Sequence, residues 1–213
     1  MIKIKKFTFN YFSENTYLLY DETGEAVLID SGCLFPAEEQ QLQLFITQNK
    51  LTPVHLLCTH LHVDHIFGNA FIHKTYDLKP EAHHFEEEQL PAPEEQARAF
   101  GIQLPVMAVP VGTYLEPGDI VSFGNSSLKC LFVPGHSPGS LAFYSEPDGF
   151  VIAGDALFRG SIGRTDLWGG STETLISSIQ EQLLTLPDRT VVYPGHGPET
   201  TIGEEKKNNP YLY

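Results

Sequence analysis

The chain has 213 residues, 41% hydrophobic and 19% charged, the proportions of an ordinary soluble globular protein and enough for one domain, 1–213, with a sizeable core. Its formal charge of −14 argues against a nucleic-acid partner, because phosphate binding needs clustered Lys and Arg. No apolar run is long enough to span a bilayer and no leader segment is visible, so a cytoplasmic protein with no membrane partner is expected.

In chain order, "IKIKKFTF" (2–9), "TYLLYD" (16–21) and "AVLIDSG" (26–32) read as a strand meander that turns at "ETGE" (22–25). The stretch 36–50 begins with proline and sets Leu42, Phe45 and Ile46 at helical spacing, which predicts a helix. A short strand, "VHLLCT" (54–59), follows, and then a helix through "GNAFIHKTY" (68–76). Residues 84–105 are acidic and proline-bearing, a short helix plus loop, and the acids of "HHFEEEQLPAPEEQ" (83–96) read as a solvated surface. In the second half, 118–136 reads as two strands around "GNSS", and 140–155 as a hairpin turning at "EPDG". An amphipathic helix over 172–186 and a last strand, "RTVVYPGH" (189–196), complete the pattern. Strand groups mixed with helices predict a layered α/β domain in which helices cover sheets. Cys33, Cys58 and Cys130 are odd in number and lack metal-type spacing; a reduced setting with packed thiols fits them.

The unusual residues gather at strand ends. "LLCTH" ends at His60, "LFVPGH" at His136, "VIAGD" at Asp155 and "VVYPGH" at His196, while "VLID" ends at Asp30. Ligands and active sites collect beyond the carboxyl ends of such strands. After His60 come His62, Asp64 and His65. Residues two apart on an extended chain face the same way, so His60 and His62 can grip one ion together. Asp64 and His65 fall out of that register and need the chain to turn. The set therefore divides into two half-sites. It holds too many ligands for one ion and no thiolate, which favours a two-metal catalytic centre over a closed structural zinc.

This pattern resembles the metallo-β-lactamase superfamily, whose H-x-H-x-D-H motif stands here as His60 to His65, followed by the histidine of "PGH" (His136), the aspartate of "GD" (Asp155) and the histidine of the last "GH" (His196). More narrowly, "THLHVDHIFGN", "GHSPGSLAFY", "AGDALFRGSIGRTDL" and "NPYL" resemble the glyoxalase II (hydroxyacylglutathione hydrolase) group in its short form. The resemblance runs nearly end to end. It implies an αββα metallo-β-lactamase-type sandwich and a bound pair of divalent metal ions, zinc by expectation, with iron or manganese the alternatives. It further implies that His60, His62 and His136 hold one metal, that Asp64, His65 and His196 hold the other, and that Asp155 bridges them. Asp64 would also orient the attacking hydroxide, and Asp30 would support a ligand histidine rather than touch metal.

The expected activity is hydrolysis of a thioester such as S-D-lactoylglutathione by a dimetal-bound hydroxide, with a small-molecule, possibly glutathione-derived, substrate. The rival enzyme is a mononuclear iron persulfide dioxygenase, whose family shares the look of "GRTDL" (163–167). A lactamase or lactonase uses the same core, and a metal-binding interaction module is the non-enzyme alternative. Two departures from the glyoxalase II pattern bear on glutathione. The chain passes almost directly from "GHGPETTIG" to "NNPYLY", without most of the helical C-terminal region, and the last "GH" is not followed by the family's "E" and tyrosine. Arg164 and Arg159 are candidate substrate contacts, since arginine offers carboxylates a bidentate fork, and a salt bridge from Arg164 to Asp166 is the competing expectation. His55, His73, His83 and His84 read as surface or packing residues, with His83 and His84 in the loop expected to overhang the site. Trp168 reads as a cover for its loop, and Lys206 and Lys207 as solvated.

Overall fold

A computed structural model describes residues 1–212; Tyr213 lies outside the described residues. Strands β1 (Lys3–Phe9), β2 (Glu14–Tyr20) and β3 (Glu25–Ile29) form the expected antiparallel meander. Helix α1 (Pro36–Gln48) carries the chain back to β4 (Thr52–Leu57), which pairs parallel with β3. Two short helices, α2 (Val63–Ile66) and α3 (Asn69–Tyr76), lead to β5 (Pro80–Ala82). Helices α4 (His84–Gln89) and α5 (Pro93–Ala99) precede the edge strand β6 (Thr113–Tyr114), and the sheet order is β1 through β6.

The second sheet contains β7 (Ile120–Phe123), β8 (Ser126–Phe132), β9 (Leu141–Ser145) and β10 (Phe150–Gly154). A two-stranded ribbon, β11 (Leu157–Phe158) with β12 (Ser161–Ile162), follows. Helix α6 (Thr172–Ser178) runs into a π-helical turn (Ile179–Leu183) before β13 (Val191–Pro194), β14 (Thr200–Thr201) and α7 (Ile202–Asn208). The strand order is β14-β13-β10-β9-β8-β7. Strands β8, β10 and β13 run in one direction, because β9 is antiparallel to both β8 and β10, and β13 is parallel to β10.

Side-chain alternation assigns the layers. Tyr17, Leu19, Val27 and Ile29 of the first sheet share a core with Phe123, Leu128, Cys130, Phe143 and Ile152 of the second. Their neighbours Leu18, Ala26, Leu28 and Leu56 face the other way, onto Leu42 and Ile46 of α1 and Ile72 of α3. Behind the second sheet, Ala142, Val151 and Val192 pack on Leu175, Ile179, Leu183 and Ile202. The layers are helix, sheet, sheet, helix: the αββα sandwich.

Three elements differ from expectation. Helix α1 stops at Gln48, where Asn49 donates its Nδ2 to Phe45 O at 2.9 Å and Lys50 takes a φ of 54°. The helix expected over 172–186 changes at Ser178 into the π turn, with Leu184 N donating to Ile179 O at 2.8 Å. Residues 84–105 hold two helices rather than one, since Pro93 opens a new one at its first turn. The strands of two or three residues and α7 carry too little pattern to be read in advance. All three cysteines are buried and free, and no helix among the described residues is long and apolar enough to cross a membrane.

Candidate metal centre

The seven residues expected to hold metal come together where strands of both sheets end. His60 and His62 lie in the segment after β4, Asp64 and His65 on α2, His136 after β8, Asp155 next to β10, and His196 after β13. The turns that bring them in have no room for larger residues. Gly154 holds a φ of 51°, with the Thr59 side chain where a Cβ would go, and a Cβ on Gly195 would collide with Asp155 Oδ1.

His60 Nε2 lies 3.2 Å from His136 Nε2, which lies 2.8 Å from His62 Nδ1. A second trio places His196 Nε2 3.3 Å from His65 Nε2 and 3.2 Å from Asp64 Oδ2. Asp155 stands between them: Oδ1 is 3.4 Å from His65 Nε2, and Oδ2 is 3.6 Å from His136 Nε2 and 3.5 Å from His196 Nε2.

Hydrogen bonds on the far side of four rings decide which nitrogen carries the proton. His136 Nδ1 meets Arg164 O at 2.7 Å, and His196 Nδ1 meets Phe12 O at 3.0 Å. A carbonyl can only accept, so both Nδ1 atoms donate. His65 Nδ1 donates likewise to Asp30 Oδ2 at 3.0 Å. Thr59 gives its one hydroxyl proton to Asp30 Oδ2 at 2.7 Å, so it accepts from His60 Nδ1 at 3.0 Å. In these neutral tautomers, four Nε2 lone pairs point into one small volume. Converging lone pairs with two carboxylates are a donor set suited to divalent cations, and each trio can hold one ion.

The charges divide the trios. Burial, followed by the field of neighbouring imidazoles, pushes His60 well below the ordinary histidine range. His62 is pushed down to about 3 by burial and then by His136, and burial lowers His136 as well. These three are neutral imidazoles, the form a metal needs. For His65 and His196, burial also opposes charge, but Asp155, Asp64 and, for His65, Asp30 outweigh it and raise both. Burial would raise Asp64 and Asp155; the facing imidazoles of His65 and its neighbours overcome it and hold both carboxylates low.

Asp30 is 1% exposed and adopts a φ of 53°. Its oxygens are fully engaged by Thr59 N (2.7 Å), Thr59 Oγ1 (2.7 Å) and His65 Nδ1, so it orients His65 rather than facing the cavity. Arg164 lines the cavity, yet its guanidinium forms two bonds to Asp166, at 2.7 and 2.9 Å. Arg159 is exposed and is not part of the cavity wall. His83 and His84 do not line it either. They stack on one another with ring centroids 4.4 Å apart, beside Phe132 and Glu116. His55 pairs with Glu81 at 2.7 Å, and His73 meets Leu78 O at 3.2 Å. Trp168 packs on Phe100 and on His62, at 6.1 and 6.4 Å between centroids.

Other residues that shape the centre carried no sequence signal. Glu86, read as part of a solvated acidic run, is 1% exposed. Its carboxylate accepts from Leu61 N at 2.8 Å and from Ser137 Oγ and Gly139 N at 2.6 Å, which ties the His60–His62 segment to the loop after His136. Burial pushes it up to about 6. Asn10 Nδ2 donates to Asp64 O at 2.9 Å, and Asn15 Nδ2 brackets the His196 turn through Pro194 O and Gly197 O, at 3.0 and 2.9 Å. The cavity over the centre, about 310 Å³, is walled by Phe12, Phe100, Phe158 and Leu167 besides the candidate ligands and Arg164.

A double layer of sheets with a His/Asp pair of trios at one edge defines a metallo-hydrolase class. Residues 10–196 match the family model of the Metallo-beta-lactamase superfamily, and the chain belongs to that superfamily. It is 38% identical to the probable metallo-hydrolase YqgX of Bacillus subtilis, over 93% of this chain and 92% of that protein. The hydroxyacylglutathione hydrolase GloC of Haemophilus influenzae is 36% identical over 94% of this chain and 93% of its own. Among solved structures, TTHA1623 in a di-iron-bound form superposes with a TM-score of 0.86 at 38% identity, covering 98% of this chain and 100% of that one. ETHE1 from Myxococcus xanthus superposes with 0.79 at 29%, covering 98% and 83%.

Proposed function

We propose that the chain is a metal-dependent thioester hydrolase of the hydroxyacylglutathione hydrolase type, acting on S-D-lactoylglutathione or a relative. The observation that carries this reading is Asp155, whose two oxygens reach imidazole nitrogens of both trios at 3.4–3.6 Å. That arrangement favours two ions, zinc by expectation with iron or manganese as alternatives. His60, His62 and His136 would hold one, Asp64, His65 and His196 the other, and Asp155 would contribute to each. When bound, a pair of divalent ions supplies Lewis acidity, making water a nucleophile near neutral pH and polarising an acyl oxygen.

The chain's own groups do the rest. Asp64, with 15% of its side chain exposed toward the cavity, orients the attacking water. Asp30, through Thr59 and His65, keeps two imidazoles in the tautomer that faces inward. Phe12, Phe100, Phe158 and Leu167 exclude bulk water around the scissile bond. Water adds to the acyl carbon, the C–S bond breaks, and the sulfur leaves with its electron pair and takes up a proton.

Purified protein should release thiol from S-D-lactoylglutathione, and chelation should abolish that release. One iron per chain, oxygen uptake with glutathione persulfide and no thiol release would overturn this reading in favour of a dioxygenase. Asp155→Ala should lose bound metal and nearly all turnover; full metal occupancy at a normal rate would refute its bridging role.

A further inference from the structure

Phe12 and Phe100, which form part of the wall of the cavity over the metal centre, also line a second, adjacent concavity of about 480 Å³ bounded by Tyr11, Ile102 and Leu104. The two rings pack edge to face with centroids 5.7 Å apart, making a shared step between inner cavity and outer groove. Tyr11 is 71% exposed, Leu104 42% and Phe12 37%, so large apolar side chains face solvent beside the cavity that the candidate metal ligands line. Among the described residues no Lys or Arg lines the outer groove, and the Arg164 guanidinium of the inner cavity is held by two hydrogen bonds to Asp166. Nothing along this surface is built to receive carboxylates or phosphates, whereas exposed apolar area beside a reaction centre is a feature that function explains.

We propose that the substrate is a thioester whose acyl arm is an unbranched or aryl apolar chain, lying over Phe12 and Phe100 into the groove bounded by Ile102 and Leu104, while the thiol arm stays in solvent. This inference rests on the thioesterase reading and puts an apolar acyl arm in place of the lactoyl group. The occupant is the acyl arm because the anionic arms of common thiol carriers would find no cation here, while an acyl chain needs none. The chemistry is unchanged: water adds at the acyl carbon and the C–S bond breaks, leaving a carboxylic acid and a thiol.

The test uses the metal-loaded full chain and thioesters of one small uncharged thiol, N-acetylcysteamine, carrying acetyl, butyryl, hexanoyl and octanoyl groups, together with S-D-lactoylglutathione. KM should fall with chain length by up to about fourfold for each methylene that enters the groove, the equivalent of about 0.8 kcal/mol. The octanoyl ester should exceed S-D-lactoylglutathione in kcat/KM. Leu104→Asp should reduce the octanoyl-to-acetyl ratio of kcat/KM about tenfold. As a readout apart from turnover, octanoate should change the fluorescence of Trp168, the lone tryptophan, which packs on Phe100, while acetate should not. Hydrolysis with no dependence on acyl length, or with the glutathione thioester far ahead, would overturn the apolar arm and leave the thioesterase reading intact. Failure to cleave any of the thioesters would overturn both.

Discussion

The Glu86 carboxylate accepts three hydrogen bonds from the two loops that carry His60, His62 and His136, out of contact with solvent. Glu86→Gln keeps the volume but leaves one acceptor oxygen where two were used, and turns an amide N–H₂ toward a donor. The variant should bind metal roughly 10–100-fold more weakly and lose about 1–3 kcal/mol of stability. Chelator competition and denaturant melts measure both, and unchanged metal affinity would show that the clamp does not position the ligands. At Asp30 the φ of 53° allows a clean test, because asparagine tolerates left-handed backbone. Asp30→Asn should therefore fold normally, yet it cannot accept from Thr59 N, Thr59 Oγ1 and His65 Nδ1 with two anionic oxygens. The expected result is a roughly 10–100-fold loss of affinity for the ion nearest His65, read by metal content against graded chelator.

At the scale of elements, the sandwich is joined at its far end by Asp21. This side chain sits between β2 and β3, and it accepts from Thr23 N (2.9 Å), Thr23 Oγ1 (2.6 Å), Asn125 N (2.7 Å) and Ser126 Oγ (2.9 Å). It thereby links the first sheet to the β7–β8 hairpin of the second. Burial opposes its charge, but these four bonds prevail and hold it at about 2. An unfolded aspartate titrates near about 3.9, so the folded value is depressed and the contribution is fully present above that pH. It fades as pH falls through about 2. Asp21→Ala should thus cost about 1–3 kcal/mol at neutral pH, and its gap from the parent protein should shrink in acid. Urea melts at pH 7 and near pH 2.5 would check this; an equal gap at both would mean the contribution is packing, not charge.

Across the whole molecule, metal and proton compete unequally. His65 and His196 are raised, so a proton competes with an ion there at higher pH than at the other three histidines. Falling pH therefore weakens binding there first. His60, His62 and His136 are lowered, His62 to about 3, so protons contest their site only at lower pH. Dialysis at stepped pH should take metal content from two ions per chain to one before the last is lost. Simultaneous loss of both would contradict the division of charge. Chelation should also lower the melting temperature, since an ion at 100 times its dissociation constant stabilises the fold by about 2.7 kcal/mol.

The sequence by itself determined a layered α/β domain, the meander and the seven side chains that meet at its edge, while the αββα sandwich was implied by the resemblance to the metallo-β-lactamase superfamily. Each of those features repeats or stands out locally: alternation along "IKIKKFTF" (2–9), helical spacing through Leu42 and Ile46, and a metal-capable residue after each apolar run. What only the tertiary structure decided depends on neighbours far away in the chain. Glu86 is indistinguishable in sequence from Glu87 and Glu88, and it became a buried clamp because Leu61, Ser137 and Gly139 converge on it from 25 to 53 residues away. For Arg164 the sequence left open a substrate contact or a bridge to Asp166, and the fold shows the bridge. The apolar surface beside the centre is assembled from Phe12 on one segment and Phe100 and Leu104 on another. The candidate ligands are written in residue type and spacing, but the shape around them comes from long-range packing, which no local pattern encodes.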